Sequence, residues 1–375
     1  MKRAESWFNA KNILAIRLDN MGDVLMTTPA LRALRDSAPQ RRLTLLTSSS
    51  GRNAGMYAPM VDQVLIYDAP WMKATANHDS DFDQFTVRML KSKAFDAAVI
   101  FTVYSQNPLA AALLCYLADI PLRLAHCREN PYQLLSDWVI ETEPQNGVRH
   151  EVQRQLDLVQ SVGCTTSNTN LSVEIPPSTR SKLRAQLQQQ LDPSLPWVLI
   201  HPGATAPARR YPPESFATLT DILANKHGWQ IVFSGAADEH ALIEEIRRQA
   251  SVRSFSFAGK LNFIELAALI ELAPILISNN TGPVHIAAAV GTPVVDLYAL
   301  TNPQHQPWKV PHRVLFHDVP CKFCYKSVCP QLHHDCLRKL QPQDVAAATQ
   351  ELAEETLVAT QSTLAALTRK IAYLP

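Results

Sequence analysis

The chain has 375 residues, of which 46% are hydrophobic and 18% charged, and its formal net charge is +1. This length predicts two domains, and the composition excludes a disordered chain. The small net charge argues against a general nucleic-acid-binding protein. Because the sequence lacks an apolar run of about 18 residues and a signal-peptide core, we expect a cytoplasmic protein whose contact with a membrane is at most peripheral.

Short apolar runs alternate with helical patterns along most of the chain. Strands are predicted at 12–18, 43–48, 64–68, 95–102, 197–203, 229–235, 274–282 and 293–299. Helical patterns lie between them, including 106–118, and a last helix is predicted at about 342–370. This order of strands and helices predicts an α/β protein with parallel sheets that are covered by helices on both faces.

The alternation breaks at a stretch that is rich in proline and glutamine, and then restarts. We therefore predict an N-terminal domain at 1–176, an inter-domain region at 177–196, a C-terminal domain at 197–345 and a helical segment at 346–375. Two parallel-sheet domains are expected to bind ligands in the cleft at the carboxyl ends of their strands.

The segment DNMGDVLMTTP, residues 19–29, follows the first predicted strand. Gly22 suits a turn there, and Asp23 falls in the first turn of the next helix. Two interpretations of Asp23 stay open at about even odds. It is an ordinary helix cap, or it is a general base at the edge of the sheet that takes a proton from a hydroxyl group.

The segment SNNTGPVHIAAAVGTP, residues 278–293, is the most informative stretch. A polar loop with Asn280 and Thr281 follows a strand, and Gly282 with the next proline opens a helix. The free N–H groups at that helix N-terminus would suit a diphosphate. His285 lies in the first turn. A histidine there is often structural, but this combination favours a ligand site.

The segment HPGATAPARRYPPESF, residues 201–216, also links a strand to a glycine turn, at Gly203. Thr205 and Arg209 are predicted to lie above the second sheet. A cation at this position would neutralise charge on a leaving diphosphate. Arg210 could instead form a surface ion pair, and we assign only one of the two arginines to the site.

These three motifs, in this order and spacing, resemble glycosyltransferase family 9, which contains the heptosyltransferases of lipopolysaccharide core assembly. The resemblance rests on GDVLMTTP, on HPGA with ARRYPPE, and on SNNTGPVHIAAAVGTPVV, and it extends from about residue 12 to 350. It implies a GT-B fold of two Rossmann-like domains facing a central cleft, an inverting reaction without a catalytic cofactor, ADP-heptose as donor and a glycolipid acceptor. It also implies a location at the cytoplasmic face of the inner membrane.

The resemblance assigns roles to individual residues. Asp23 is the catalytic base, and Arg209 stands where the family usually has a lysine. The implied donor contacts are Thr205, Arg209, Glu239, Leu261, Asn280, Thr281, Gly282 and His285. Asn280 departs from the family, which has an acidic residue there, and Arg209 keeps the charge of the lysine but changes its geometry. Both departures bear on the identity of the sugar.

The acceptor is expected to bind the N-terminal domain. Gly22, Lys73 and Arg123 are candidate acceptor contacts, and residues 69–93 could cover the cleft or touch a membrane surface. Three alternatives to a heptosyltransferase stay open: a relative that uses another nucleotide sugar or a protein acceptor, a non-catalytic nucleotide-sugar-binding protein, and an epimerase, which needs no acceptor.

A cysteine-rich loop, residues 320–336, contains Cys321, Cys324, Cys329 and Cys336. Four thiolates at this spacing could bind zinc or iron in a structural site. Free thiols are the second interpretation and a redox role the third. Cys115, Cys127 and Cys164 are scattered and are expected to be ordinary buried thiols.

Overall fold

The computed structural model describes residues 2–72 and 78–372, and side chains within 6–72 and 78–358. The chain divides into two compact units, Met1–Glu174 and Ile175–Pro375. Lys73, one of the predicted acceptor contacts, lies outside the described residues. Among the described helices, none has both the length and the apolar composition that a membrane crossing needs.

The first unit is built on a six-stranded parallel sheet in the order β3-β2-β1-β4-β5-β6. Its strands are β1 (Asn12–Arg17), β2 (Arg42–Thr47), β3 (Gln63–Ile66), β4 (Ala97–Ile100), β5 (Leu122–Cys127) and β6 (Asp137–Ile140). Its helices are α1 (Lys2–Asn9), α2 (Met21–Asp36), α3 (Arg52–Met56), α4 (Ser80–Ser92), α5 (Leu109–Leu117) and α6 (Glu151–Gln160). The central strand β1 is apolar along its length because helices cover both faces of the sheet.

The second unit repeats this plan, with the strand order β12-β11-β10-β7-β8-β9. Its strands are β7 (Trp197–His201), β8 (Gln230–Phe233), β9 (Ser254–Ser256), β10 (Leu276–Asn279), β11 (Val294–Leu297) and β12 (His312–Leu315). Its helices are α7 (Pro177–Gln190), α8 (Pro213–His227), α9 (His240–Gln249), α10 (Phe263–Leu272), α11 (Gly282–Val290), α12 (Asp335–Arg338) and α13 (Pro342–Ala372), with short 3-10 turns at Pro207–Arg209, Ala237–Glu239 and Pro303–His305.

Both ends of the second unit pack onto its sheet. Helix α7 covers most of the predicted inter-domain region and lies against α10, where Arg180 binds Glu271. Helix α13 packs against α8, and its Val345 and Leu352 belong to the apolar core of this unit. The predicted region 177–196 and the start of the predicted helical segment are therefore parts of one compact body.

In each sheet the strand order reverses next to the first strand. The reversal lies between β1 and β4 in the first unit and between β7 and β10 in the second. Ligands of doubly wound sheets bind outside the carboxyl ends of the strands at such a reversal. The loops after β1, β7 and β10 carry the three sequence motifs, so the fold brings each motif to the binding edge of its own sheet.

Candidate active site

The first motif lies where β1 ends and α2 begins. The sequence suggested that Gly22 lies in a turn before the helix. The helix already begins at Met21, so Gly22 lies inside its first turn. Oδ2 of Asp23 accepts a hydrogen bond from the backbone N–H of Asn20 at 3.3 Å, which is a capping interaction. The side chain of Asp23 is still 15% exposed, so its carboxylate remains within reach of a ligand.

A buried arginine that the sequence analysis did not single out holds Asp23 in place. Arg17, the last residue of β1, binds Asp23 at 3.2 Å, Asp19 at 2.9 Å and Glu151 at 2.8 Å. Burial lowers the pKa of the Arg17 guanidinium, but the three carboxylates outweigh burial and raise its pKa above the ordinary value. The cluster therefore contains three carboxylates around one permanent cation.

Asp19 differs from Asp23 in its environment. Its side chain is 10% exposed, and the amide of Gln106 donates to it. Burial raises the pKa of Asp19 to about 6, against the opposing effect of Arg17 and with a further contribution from the charge of Asp23. Asp19 therefore titrates at a higher pH than an ordinary aspartate.

A cavity of about 1280 Å³ opens at the carboxyl edge of the first sheet. Its lining combines aromatic side chains, including Trp71 and Phe82, with polar residues that follow β1, β2 and β3. Three carboxylates, those of Asp19, Asp68 and Asp79, contribute to it, and the described part of the lining contains no lysine or arginine. This arrangement suits a ligand with an apolar face and many hydroxyl groups.

Arg123 has a different environment from the one expected of an acceptor contact. Its guanidinium donates to the backbone carbonyls of Leu134 and Gln133, each at 2.8 Å. It lies outside the described lining of the cavity. A role of Arg123 in acceptor binding stays a prediction, while the contacts of the side chain indicate that it supports the loop before β6.

In the second unit, the loop after β7 approaches Glu239 closely. A Cβ atom at Gly203 would lie 1.9 Å from Oε1 of Glu239, so a larger residue here would have to displace the Glu239 carboxylate. Oε2 of Glu239 accepts from the backbone N–H of Ala236 at 2.8 Å and lies 3.5 Å from Nε2 of His201. Burial lowers the pKa of His201. Glu239 is thus held at the binding edge, next to the glycine turn.

The donor loop and the arginine motif meet in the same unit. Nη1 of Arg209 lies 3.4 Å from the carbonyl oxygen of Asn280, and Nη2 lies 3.1 Å from Oδ1 of Asn302. Gly282 begins α11, and Thr281 is its N-cap residue. The structure therefore brings the arginine next to the loop that leads into the helix N-terminus, as expected of a diphosphate site.

Other predicted donor contacts lie around this loop. His285 is buried in the first turn of α11, and its ring packs edge-on against that of His305. Thr205 is exposed in the loop after β7, and Leu261 is half-buried just before α10. The donor-binding roles of these residues stay predictions.

A buried carboxylate that the sequence analysis did not identify lies beneath the donor loop. Asp296 on β11 is completely buried, and its Oδ2 accepts from Nδ2 of Asn280 at 2.8 Å. Burial raises the pKa of Asp296 to about 8, while the Asn280 hydrogen bond and the charge of Arg209 act in the opposite direction. An acidic residue inside an otherwise apolar strand is the signal that could have found it.

The cysteine-rich loop folds around a small cavity of about 20 Å³. Cys321, Cys324, Cys329 and Cys336 all line it, together with His333, whose Nε2 lies 3.6 Å from Sγ of Cys321. Burial and the neighbouring thiols raise the pKa of Cys336 to about 11. Within the described residues, no three metal-binding side chains are arranged around a common point that could hold an ion.

Two doubly wound sheets, each with its polar motifs at the strand-order reversal, are the architecture of the GT-B fold. The sequence profile of glycosyltransferase family 9 (heptosyltransferase) matches residues 86–334, which is more than half of the chain. The chain therefore belongs to glycosyltransferase family 9, and the resemblance seen in its motifs is confirmed.

Individual relatives agree with this assignment. The chain is 25% identical over 363 residues to lipopolysaccharide heptosyltransferase 3 of Escherichia coli K12, covering 89% of this chain and 96% of the relative. The structure of E. coli ADP-heptose lps heptosyltransferase II matches with a TM-score of 0.73 and 22% identity, over 92% of this chain and 99% of that one. The iron-containing dodecameric glycosyltransferase TibC of enterotoxigenic E. coli matches with a TM-score of 0.55 and 14% identity, over 92% of this chain and 77% of that one.

Proposed function

We propose that this protein is an inverting glycosyltransferase that moves heptose from ADP-heptose to a sugar of the lipopolysaccharide core. The observation that carries the proposal is the placement of an accessible carboxylate, Asp23, at the strand-order reversal of the first sheet in a chain of the heptosyltransferase family. The names of the relatives support heptose and lipopolysaccharide.

In the proposed reaction, Asp23 takes the proton of the attacking hydroxyl group while the bond to the anomeric carbon forms. Contacts from Arg17 and from the backbone of Asn20 help to keep the carboxylate in one orientation. Positioning of this kind contributes about 10²–10⁴-fold to a rate. Arg209 and the N-terminus of α11 would stabilise the departing diphosphate, so the chemistry needs no metal.

The cavity of the first unit, which Asp19 and Asn20 help to line, is the proposed acceptor site, and Gly22 stays a proposed acceptor contact. Its described lining offers carboxylates and other polar side chains that could bind hydroxyl groups of a lipid A-Kdo or inner-core heptose acceptor. Lys73 stays a proposed acceptor contact, and Lys73→Ala tests it by the KM for the acceptor.

Binding and turnover together test the function. Calorimetry with ADP-heptose is compared with ADP, UDP and GDP and with their other sugars, and we expect tight binding confined to the adenine series. Asp23→Asn should lose turnover by about 10²-fold or more while ADP-heptose binding stays within about threefold. Asp36→Asn, an exposed aspartate at the other end of α2, is the matched control.

Each alternative function has its own outcome in these experiments. A preference for uridine or guanosine sugars would keep the mechanism and discard heptose, and transfer to a polypeptide would replace the glycolipid acceptor. Binding without turnover in the wild type would favour a non-catalytic protein. Conversion of the donor without any acceptor would favour an epimerase.

We further propose peripheral association with the cytoplasmic face of the inner membrane. Phe82 and Phe85 of α4 are exposed and stacked on each other at 6.3 Å, next to the cavity that contains Phe82. Exposed aromatic side chains of this kind favour a membrane interface. Flotation with vesicles of bacterial phospholipid should weaken in Phe82→Ser/Phe85→Ser but not in Phe8→Ser, which removes another exposed phenylalanine.

A structural zinc or iron ion in the cysteine-rich loop is a separate proposal. Four thiols and two imidazoles line one small cavity, and thiolates with histidine suit either metal. A relative with the same fold is described as iron-containing. Elemental analysis of purified protein should find about one ion per chain, lost in Cys324→Ser and kept in Cys164→Ser; a folded wild-type protein without zinc or iron would refute the site.

A further inference from the structure

The side chain of Asn280 is held from inside the second unit by two acceptors. Its Nδ2 donates to Oδ2 of Asp296 at 2.8 Å and to the backbone carbonyl oxygen of His305 at 3.0 Å. A backbone carbonyl can only accept, so the amide must turn its NH₂ group toward the protein. Both amide hydrogens are then used, and Oδ1 is the atom that Asn280 has left to offer a ligand.

Burial of the Asp296 carboxyl group lowers the stability of the fold. It lies on β11 between the apolar residues Val295 and Leu297 and is completely buried. Its second oxygen, Oδ1, has no hydrogen-bond partner among the described residues. A buried carboxylate that is only partly satisfied lowers stability, and an apolar residue would suit this strand better. The contact with Asn280 offers a reason for an acidic residue at this position.

The acidic group of this pair lies on strand β11 and not at position 280. The amide of Asn280 carries no charge, whereas the family has an acidic residue at this position. Arg209, which contacts the carbonyl oxygen of Asn280, favours the charged form of Asp296 against the effect of burial. The pair thus keeps a hydrogen-bond acceptor at position 280 without a formal charge there.

We propose that Asp296 is a positioning residue for the donor, which holds the Asn280 amide so that its Oδ1 accepts hydrogen bonds from hydroxyl groups of the transferred sugar. The inference rests on the proposed function and deepens it by assigning a sugar-recognising atom. It predicts that the pair distinguishes the nucleotide sugar from the bare nucleoside diphosphate, because only the sugar carries the hydroxyl groups in question.

The first experiment compares Asp296→Ala with wild type by calorimetry, using ADP-heptose and ADP. Loss of one oriented hydrogen bond should weaken ADP-heptose binding about tenfold and leave ADP within about twofold. Thermal unfolding of the same variant measures the structural cost separately, since the truncation leaves one N–H of Asn280 without its acceptor. A purely structural role for Asp296 predicts equal losses of affinity for both ligands.

The second experiment moves the carboxylate. Asn280→Asp alone places two carboxylates in contact and should bind ADP-heptose worse than wild type. Asn280→Asp/Asp296→Asn restores one acceptor at position 280 and one amide donor beneath it, and should bind within about threefold of wild type. Asp296→Asn alone, which keeps an acceptor for the Asn280 amide, should lose less affinity than Asp296→Ala.

The outcomes separate this inference from the function on which it rests. If Asp296→Ala binds ADP-heptose as tightly as wild type does, the positioning role is overturned and the proposed donor stays. Failure of the double variant to recover affinity would also count against the role. Wild-type protein that binds no nucleotide sugar would overturn the proposed function and this inference with it.

Discussion

Nη1 of Arg17 lies 2.8 Å from Oε1 of Glu151, and neither side chain is exposed to solvent. The pair joins the end of β1 to the first turn of α6, directly beneath the carboxylates of Asp19 and Asp23. Without Glu151, Arg17 would keep Asp19 and Asp23 as partners, whereas without Arg17 the buried carboxylate of Glu151 would lose its cation. The support of the proposed base is therefore tied to the stability of the first unit.

Replacement of Arg17 by methionine should lower the free energy of unfolding by about 3–5 kcal/mol, because it leaves the buried carboxylate of Glu151 without its cation. Urea unfolding followed by circular dichroism measures the change. The control is Glu355→Gln, which breaks the 2.8 Å pair with Arg313 at an exposed site and should cost less than about 1 kcal/mol. Equal effects of the two variants would contradict the importance assigned to burial.

The raised pKa of Asp19 predicts a pH dependence of stability. Burial moves this pKa from 3.8 to about 6, so between these two values the folded state binds more protons than the unfolded state. The contribution of Asp19 to the free energy of unfolding should therefore fall as the pH rises from about 4 to about 6. Asp19→Asn removes this contribution, so the variant should gain stability relative to wild type over that range. A difference between the two proteins that does not vary with pH would refute the assignment.

Much of the fold follows from patterns that burial imposes on sequence. Strands covered on both faces, such as β1 and β7, are apolar except at their ends and were predicted. The structure adds β5, β6, β9 and β12, which the sequence analysis did not identify. Three of these are half-exposed or very short, and all lie away from the centre of the sheets, where apolar periodicity is weak.

The residues of the candidate site also fall into those that the sequence predicts and those that it does not. Asp23, Arg209 and Asn280 were found because they lie in motifs that are continuous in sequence. Arg17, Glu151 and Asp296 were not, because their importance depends on contacts between residues far apart in the chain: Arg17 and Glu151 are separated by 134 positions. A single sequence carries no record of such pairings, although the acidic residue within the apolar strand β11 was a signal that could have pointed to Asp296.

The close approach of Glu239 to Gly203 predicts a steric conflict with a specific remedy. Gly203→Ala places a methyl group where Oε1 of Glu239 lies, so it should lower the free energy of unfolding by about 1–3 kcal/mol and weaken nucleotide-sugar binding. Gly203→Ala/Glu239→Ala removes the obstacle and should recover stability. Recovery of stability without recovery of donor affinity would support Glu239 as a donor contact, whereas additive losses in stability would refute the conflict.

Arg209 and Arg210 are adjacent, but their contacts differ, and this difference predicts opposite results on substitution. Arg209 lies against Asn280 and Asn302 in the donor loop, while Arg210 donates to the backbone carbonyl of Ala204 at 2.7 Å. Arg209→Ala should weaken ADP-heptose binding about 10–100-fold, since charge-assisted hydrogen bonds are lost. The affinity of Arg209→Lys for ADP-heptose should lie between that of Arg209→Ala and that of wild type. Lysine keeps the positive charge but lacks the paired N–H donors of the guanidinium group.

Arg210→Ala is the matched control and should change donor affinity by less than about threefold. Calorimetry with ADP-heptose and with ADP measures all three variants. Because the proposed partner of Arg209 is the diphosphate, both ligands should lose affinity together, in contrast to the sugar-specific loss expected from Asp296→Ala. A large loss in Arg210→Ala with little change in Arg209→Ala would reverse the assignment and make Arg210 the cation that faces the leaving group.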